Sequence, residues 1–216
     1  MVEVVEQIAF VAREDRRVDK RSGVSQRMSI TTLENVISNA ERRALVNGED
    51  TVVPRVSDIY AALPAITGKV ELEYEGELKG GDTVAREIIR NAIGRVFKKH
   101  LESANLGPAV KWFDRGGSVK LDESMSSAEL LAQLQTVEGL LEKTRALGLT
   151  ESEPDALRAS AGEFILEGLY ALRRIGRDEE LGFRGESRSN TAAPEDEASE
   201  IDPAEFRRKR NKQRYN

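Results

Sequence analysis

Three observations predict a mainly α-helical protein with one short extended arm and a disordered, charge-segregated tail. Apolar residues recur at three- and four-residue intervals over most of the first 175 positions. Aromatic residues are only 5% of the 216, so the core must be built from aliphatic side chains and alanine, as helix packing allows. Charged residues make up 33% and separate into acidic and basic blocks near the C-terminus, which suits a solvated tail better than a core.

The elements follow in order. Val4, Val5, Ile8, Val11 and Ala12 lie at helical spacing within a helix from Val2 to about Asp15. The charged connector EDRRVDKRSG ends at Gly23, and Ser25 is the expected N-cap of a long amphipathic helix. Leu33, Val36, Ile37, Ala40, Ala44 and Leu45 form its stripe, and Asn47-Gly48 is a suitable C-cap. Pro54 is expected to open a third helix carrying Val56, Ile59, Tyr60, Leu63 and Ile66, because a first-turn N–H has no helical partner to lose.

After Gly68 the period changes. Val70, Leu72 and Tyr74 alternate with Glu71, Glu73 and Glu75, the pattern of a short strand or extended arm. Glu71, Glu73, Glu75 and Glu77 then share one face. Such a row could collect a divalent ion, and is read here as the wet face of an amphipathic strand. Gly80-Gly81 breaks the arm before a helix from about Asp82 to Leu101 that buries Ala85, Ile88, Ile89, Ala92, Val96 and Phe97. Residues 105–121 read as a short helix plus irregular chain, holding Trp112 and a Gly116-Gly117 turn. Ser126 or Ser127 caps a helix through Leu134, and another follows through Leu147. The last helix carries Leu157, Ala161, Phe164, Ile165, Gly168, Leu172 and Ile175 on one stripe. Beyond Gly176 periodicity is lost: residues 186–205 are acidic and rich in Ser, Ala and Pro, and 207–214 (RRKRNKQR) are basic. The expected divisions are 1–80, 81–176 and a tail over 177–216.

Composition excludes several functions. With no cysteine there are no disulfides or thiolate metal sites, and one histidine, His100, rules out the usual His/Cys zinc sites. His100 sits beside Lys98 and Lys99 near a helix C-terminus, where a cation is favoured, and reads as a solvated helix end. A net charge of −5 argues against nucleic-acid binding by the chain as a whole. The six cations between Arg207 and Arg214 are the one segment suited to phosphate contacts. No apolar run reaches the roughly 20 residues needed to cross a bilayer. The acidic start MVEVVEQIAF is unlike a signal peptide, so a cytoplasmic location is expected. No Walker A string is present: Gly68-Lys69 has Leu63 at the position of the upstream glycine and Val70 after the lysine. SVKLDE (118–123) ends in Asp-Glu like a Walker B strand, but Lys120 interrupts its apolar run, and it is read as a decoy.

Arg27 stands out within RSGVSQRMSI (21–30). The sequence places it in the first turn of a helix, where the dipole disfavours a cation and an anionic partner is therefore expected elsewhere. Its neighbours make a larger pattern. VDKRSGVSQRMSITTLENVISNAERRAL (18–45), VPRVSDIYAALPAITGKVELEYEGE (53–77), VAREIIRNAIGRVFKKHL (84–101) and FILEGLYALRRI (164–175) resemble the helical lid and closing region of the magnesium-chelatase-like, MoxR-type AAA+ ATPases.

That resemblance implies a AAA+ lid-type helical bundle over residues 1–80 followed by a second helical region. It also implies that Arg27 is the sensor-2 arginine, which reaches the γ-phosphate of ATP held with Mg²⁺ in a core domain. Positive charge aimed at a transferring phosphoryl group supports hydrolysis and couples it to lid movement. The expected partners are that AAA+ core, neighbouring subunits of a ring, and a von Willebrand A-type protein. Since the Walker-bearing core of the family is missing from these 216 residues, no ATPase activity is expected of the chain alone. Magnesium insertion would belong to a different subunit. A helical adaptor presenting residues 82–175 to a partner, with the basic tail contacting protein or nucleic acid, is the alternative.

Overall fold

A computed structural model describes residues 1–186 except Ser22, Glu179 and Leu181. The described chain is mainly helical: α1 (Val2–Glu14), α2 (Met28–Asn47), α3 (Val56–Ala61), α4 (Leu63–Thr67), α5 (Tyr74–Lys79), α6 (Gly81–Leu101), α7 (Gly107–Asp114), α8 (Ser127–Gln135), a 3-10 helix (Leu141–Leu147) and α9 (Asp155–Ala171). A small antiparallel sheet has the order β1 (Ser118–Val119), β3 (Gly182–Arg184), β2 (Gly176–Asp178). No helix among the described residues is long and apolar enough to cross a membrane.

The core runs along α6 and α9. Helix α6 lies against α1, α4 and α9, and α9 is further covered by α8, α3 and the 3-10 helix. The long α6 therefore joins the elements before residue 80 to those after it. Its buried face holds Ala85, Ile88, Ile89, Ala92, Val96 and Phe97, as its period predicts. Helix α9 buries every residue from Ala159 to Leu169. A single apolar stripe was expected there; instead the helix is enclosed on all sides, and two glutamates, Glu163 and Glu167, go into the interior with it.

Close helix packing has a direct cause. A Cβ on Gly168 would lie 1.9 Å from the Phe97 ring, so glycine lets α6 and α9 meet at this point. The C-terminus of α9 closes with Arg173 in the left-handed region (φ 55°), and the Arg174 N–H bonds the Leu169 carbonyl at 2.9 Å. The end of α2 uses the same closure. Gly48 has φ 66°, and the Glu49 N–H reaches the Ala44 carbonyl at 2.9 Å.

Several expectations need correcting. Helix α2 begins at Met28, not at Ser25, with Arg27 at the N-cap position just before its first turn. Backbone pairing explains the delay. Ser25 N–H donates to the Lys69 carbonyl at 3.0 Å and Glu71 N–H to the Gly23 carbonyl at 2.8 Å, so residues 23–25 are held extended beside the arm. The buried face of α2 is Met28, Thr32, Val36, Ala40, Arg43 and Ala44, while Ile37 and Leu45 are exposed.

The third helix is two short ones. Pro64 sits at the start of α4, where it lacks an N–H to continue the ladder from α3. Pro54 precedes α3 by two residues and instead offers its carbonyl to the Ser160 hydroxyl at 2.7 Å. The arm is shorter than its alternation suggests. Val70 and Leu72 bridge Val24 and Val18, but Tyr74 starts α5, so Glu75 and Glu77 lie on a helix and the four glutamates form no common strand face. Past Gly176 the chain forms the β2–β3 hairpin, so order extends beyond residue 177. The acidic stretch 187–205 and the basic 207–214 lie outside the described residues.

Candidate functional site

Arg27 is positioned by the pairing that delays α2. Val24 bridges Val70 and Val18 bridges Leu72, so the chain entering α2 is tied at two points to the arm. Gly23 is required for this path, since a Cβ there would come 2.0 Å from the Asp19 carbonyl oxygen. The Ser25 hydroxyl accepts the Arg27 N–H at 3.3 Å, turning the chain into the helix. The Arg27 side chain is exposed and has no ion pair among the described residues. A guanidinium there is permanently charged and can fork onto phosphate or carboxylate oxygens. Along α2, Ile30, Ile37, Leu45 and Val46 turn outward among polar residues, with Leu45 82% and Val46 77% exposed.

The other residues singled out in the sequence are less connected. His100 is half exposed and pairs with Glu3 at 2.7 Å, beside the Lys99–Glu3 contact of 2.6 Å, which fastens the end of α6 to the start of α1. The SVKLDE string puts Ser118–Val119 in a two-residue strand antiparallel to β3, unlike the central parallel strand that a Walker B motif ends. No group of three or more His, Cys, Asp or Glu able to hold a metal occurs among the described residues.

The structure also assembles features that periodicity did not reveal. One is a buried ionic knot. Arg55, 1% exposed, donates to the Met125 carbonyl at 2.7 Å and to the Ser127 hydroxyl at 2.9 Å. Arg43 meets Asp58 at 3.0 Å, Asp58 accepts the Arg55 N–H at 2.7 Å, and Glu49 bonds both the backbone and the hydroxyl of Ser127. This knot clamps α2 and α3 to the start of α8.

The second feature is a cleft of about 570 Å³ between α3, α6, α9 and the β-hairpin. Its floor carries Glu163 and Glu167, one helical turn apart. Glu163 Oε1 accepts the Ser57 N–H at 2.9 Å, and Glu167 Oε1 accepts from Arg177 at 2.8 Å. Both Oε2 atoms are buried without a hydrogen-bond partner. Burial raises both carboxyls, Glu167 up to about 7, with Arg177 opposing the rise and Glu163 adding to it. The rim carries Arg86 on the Tyr60 ring at 6.0 Å and Arg90 on the Tyr170 ring at 5.6 Å. A buried i, i+4 carboxylate pair was visible in the sequence only as two charges inside an otherwise apolar helix, and that interruption is the signal that could have found it.

Comparisons with protein-family models, with curated proteins and with solved structures return no match.

Proposed function

We propose that the chain is a nucleotide-sensing lid and oligomerisation module of a magnesium-chelatase-like AAA+ ATPase, acting in the cytoplasm with an ATPase core outside these 216 residues. The observation that supports it is the exposed Arg27 guanidinium, unpaired among the described residues and held at the start of a 20-residue helix. A cation left without an anion at a positive helix end is destabilising unless something negative arrives. A γ-phosphate meets that need, and Arg27 would be the residue that holds it. The bound Mg²⁺ would be held by the core. Nucleotide state would then move the lid against the neighbouring subunit, and a von Willebrand A-type protein would receive the motion.

The test joins the chain to its core and compares Arg27→Ala with the parent. Removing a charge from a transferring phosphoryl group is expected to cut ATP turnover by about 100-fold or more while the circular dichroism and melting curve stay unchanged. Unaltered turnover would remove Arg27 from the nucleotide site.

A second reading is distinct from the helical adaptor over residues 82–175: the outward apolar residues of α2, Ile37 among them, capture a partner with no link to nucleotide. Ile37→Asp should then abolish co-purification with the partner while ATP turnover of the joined protein is untouched; loss of both together favours the lid.

A further inference from the structure

The arm that pairs with Val18 and Val24 leads into α5, and the outward side of that helix is uncovered. Tyr74 and Leu78, one turn apart, are 72% and 71% exposed. The adjacent stripe holds Glu73 and Glu77, also exposed, and neither forms an ion pair among the described residues. Gly76 faces the opposite way, where a Cβ would lie 2.6 Å from the Arg17 carbonyl oxygen. That close approach seats α5 with its apolar pair pointing out.

A pair of opposite sign lies on α6. Arg86 and Arg90 stand one turn apart at the mouth of the cleft, each against a tyrosine ring, and neither has an ion-pair partner among the described residues. Side chains one turn apart lie about 6 Å from each other on any helix, so two glutamates of one α5 can meet two arginines of another α6. Within the cleft, Tyr60, Tyr170 and Leu121 offer apolar surface to Tyr74 and Leu78.

The carboxylates that also line the cleft are mostly occupied. Glu87 is held by Arg17 and Lys79, and Asp122 accepts the N–H and the hydroxyl of Ser124. Burial holds Glu163 and Glu167 towards the neutral form. Glu123 is exposed without an ion pair among the described residues, and it opposes an incoming glutamate.

We propose that α5 of one copy of this chain docks at the cleft mouth of a second copy, Glu73 and Glu77 on Arg86 and Arg90, Tyr74 and Leu78 against Tyr60 and Tyr170. The contact gives the subunit packing of the lid reading a surface, yet it needs neither Arg27 nor a core, so its failure leaves the Arg27 test standing. A six-residue helix on one cleft is a small interface, and its association belongs to the weak, salt-sensitive class.

Sedimentation velocity of the 216-residue chain from about 5 to about 500 µM tests this. The mean sedimentation coefficient should rise with concentration in low salt and fall back in about 0.5 M NaCl. E73K/E77K and R86E/R90E, each checked by melting, should be monomeric alone. Mixed together they should associate, since each supplies the charge that the other has reversed. Y74A/L78A should raise the dissociation constant about tenfold or more, and Glu123→Gln should lower it. A parent chain that stays monomeric up to about 500 µM would overturn the proposal and leave α5 to a different, basic protein. So would association untouched by E73K/E77K, or a mixture of the two charge-reversed variants that remains monomeric.

Discussion

Glu167 is buried on α9, and its protonation is coupled to folding. Burial lifts its carboxyl from 4.5 to about 7, so the folded state holds a proton there that the unfolded chain has already released. Between these two values the folded chain binds more protons, and raising the pH draws stability down. The contribution is fully present below pH 4.5 and gone above about pH 7. Glu163, also raised by burial, acts in the same direction. Melting followed from pH 5 to pH 7.5 should therefore show falling stability, by about 3 kcal/mol at the most from Glu167. Glu167→Gln should flatten this slope; an equal slope in the variant would move its source to other groups. Asp15, held down by Arg17, has the opposite sign and weakens the fold only as the pH falls below the ordinary carboxylate range. Arg27 is the contrasting residue. Its charge was legible from the sequence because no fold changes a guanidinium in solvent, whereas the state of Glu163 and Glu167 depends on what surrounds them.

Among the elements, α9 departs furthest from its sequence pattern. Its Leu, Ile and Phe positions set a helix and one buried stripe, yet packing by α3, α6, α8 and the 3-10 helix encloses its middle, Ala159 to Leu169, on all sides. Gly168 makes the contact with α6 possible. Gly168→Ala should destabilise by about 1–3 kcal/mol, although alanine is the better helix former, because its methyl collides with the Phe97 ring. A chemical-denaturation midpoint equal to that of the parent would disprove the close approach. Helix α2 shows the limit of periodicity in another way. Its i, i+3, i+4 spacing was correct, but the buried arc is rotated so that Arg43 and Thr32 are inside and Ile37 and Leu45 outside. The buried ionic knot with Asp58 and Glu49 draws Arg43 inward, and those partners are set by tertiary contacts.

At the level of the whole molecule, the lid reading makes a simple demand. With no phosphate-cradling loop in its sequence, purified 1–216 should release no phosphate from ATP, and sustained hydrolysis by the purified chain would sink the reading. Among the described residues, the start of α2 carries a cation without an ion-pair partner, and the polar cleft beside α9 is built from different elements.

Local rules were sufficient for the presence of most of the helices, for the glycine closure at Gly48, and for a serine cap on α8, which falls on Ser126 with its reciprocal Glu129 contacts. These depend on neighbours within four residues, which the sequence contains in order. Tertiary structure alone decided the start of α2, the depth of Glu163 and Glu167, the hairpin beyond Gly176 and the pairing of Arg86 and Arg90 with two tyrosines. Each of these depends on groups brought together from distant positions, such as Ser57 on Glu163 and Lys69 on Ser25. Burial and charge compensation are properties of such assemblies, and no window along the chain records them.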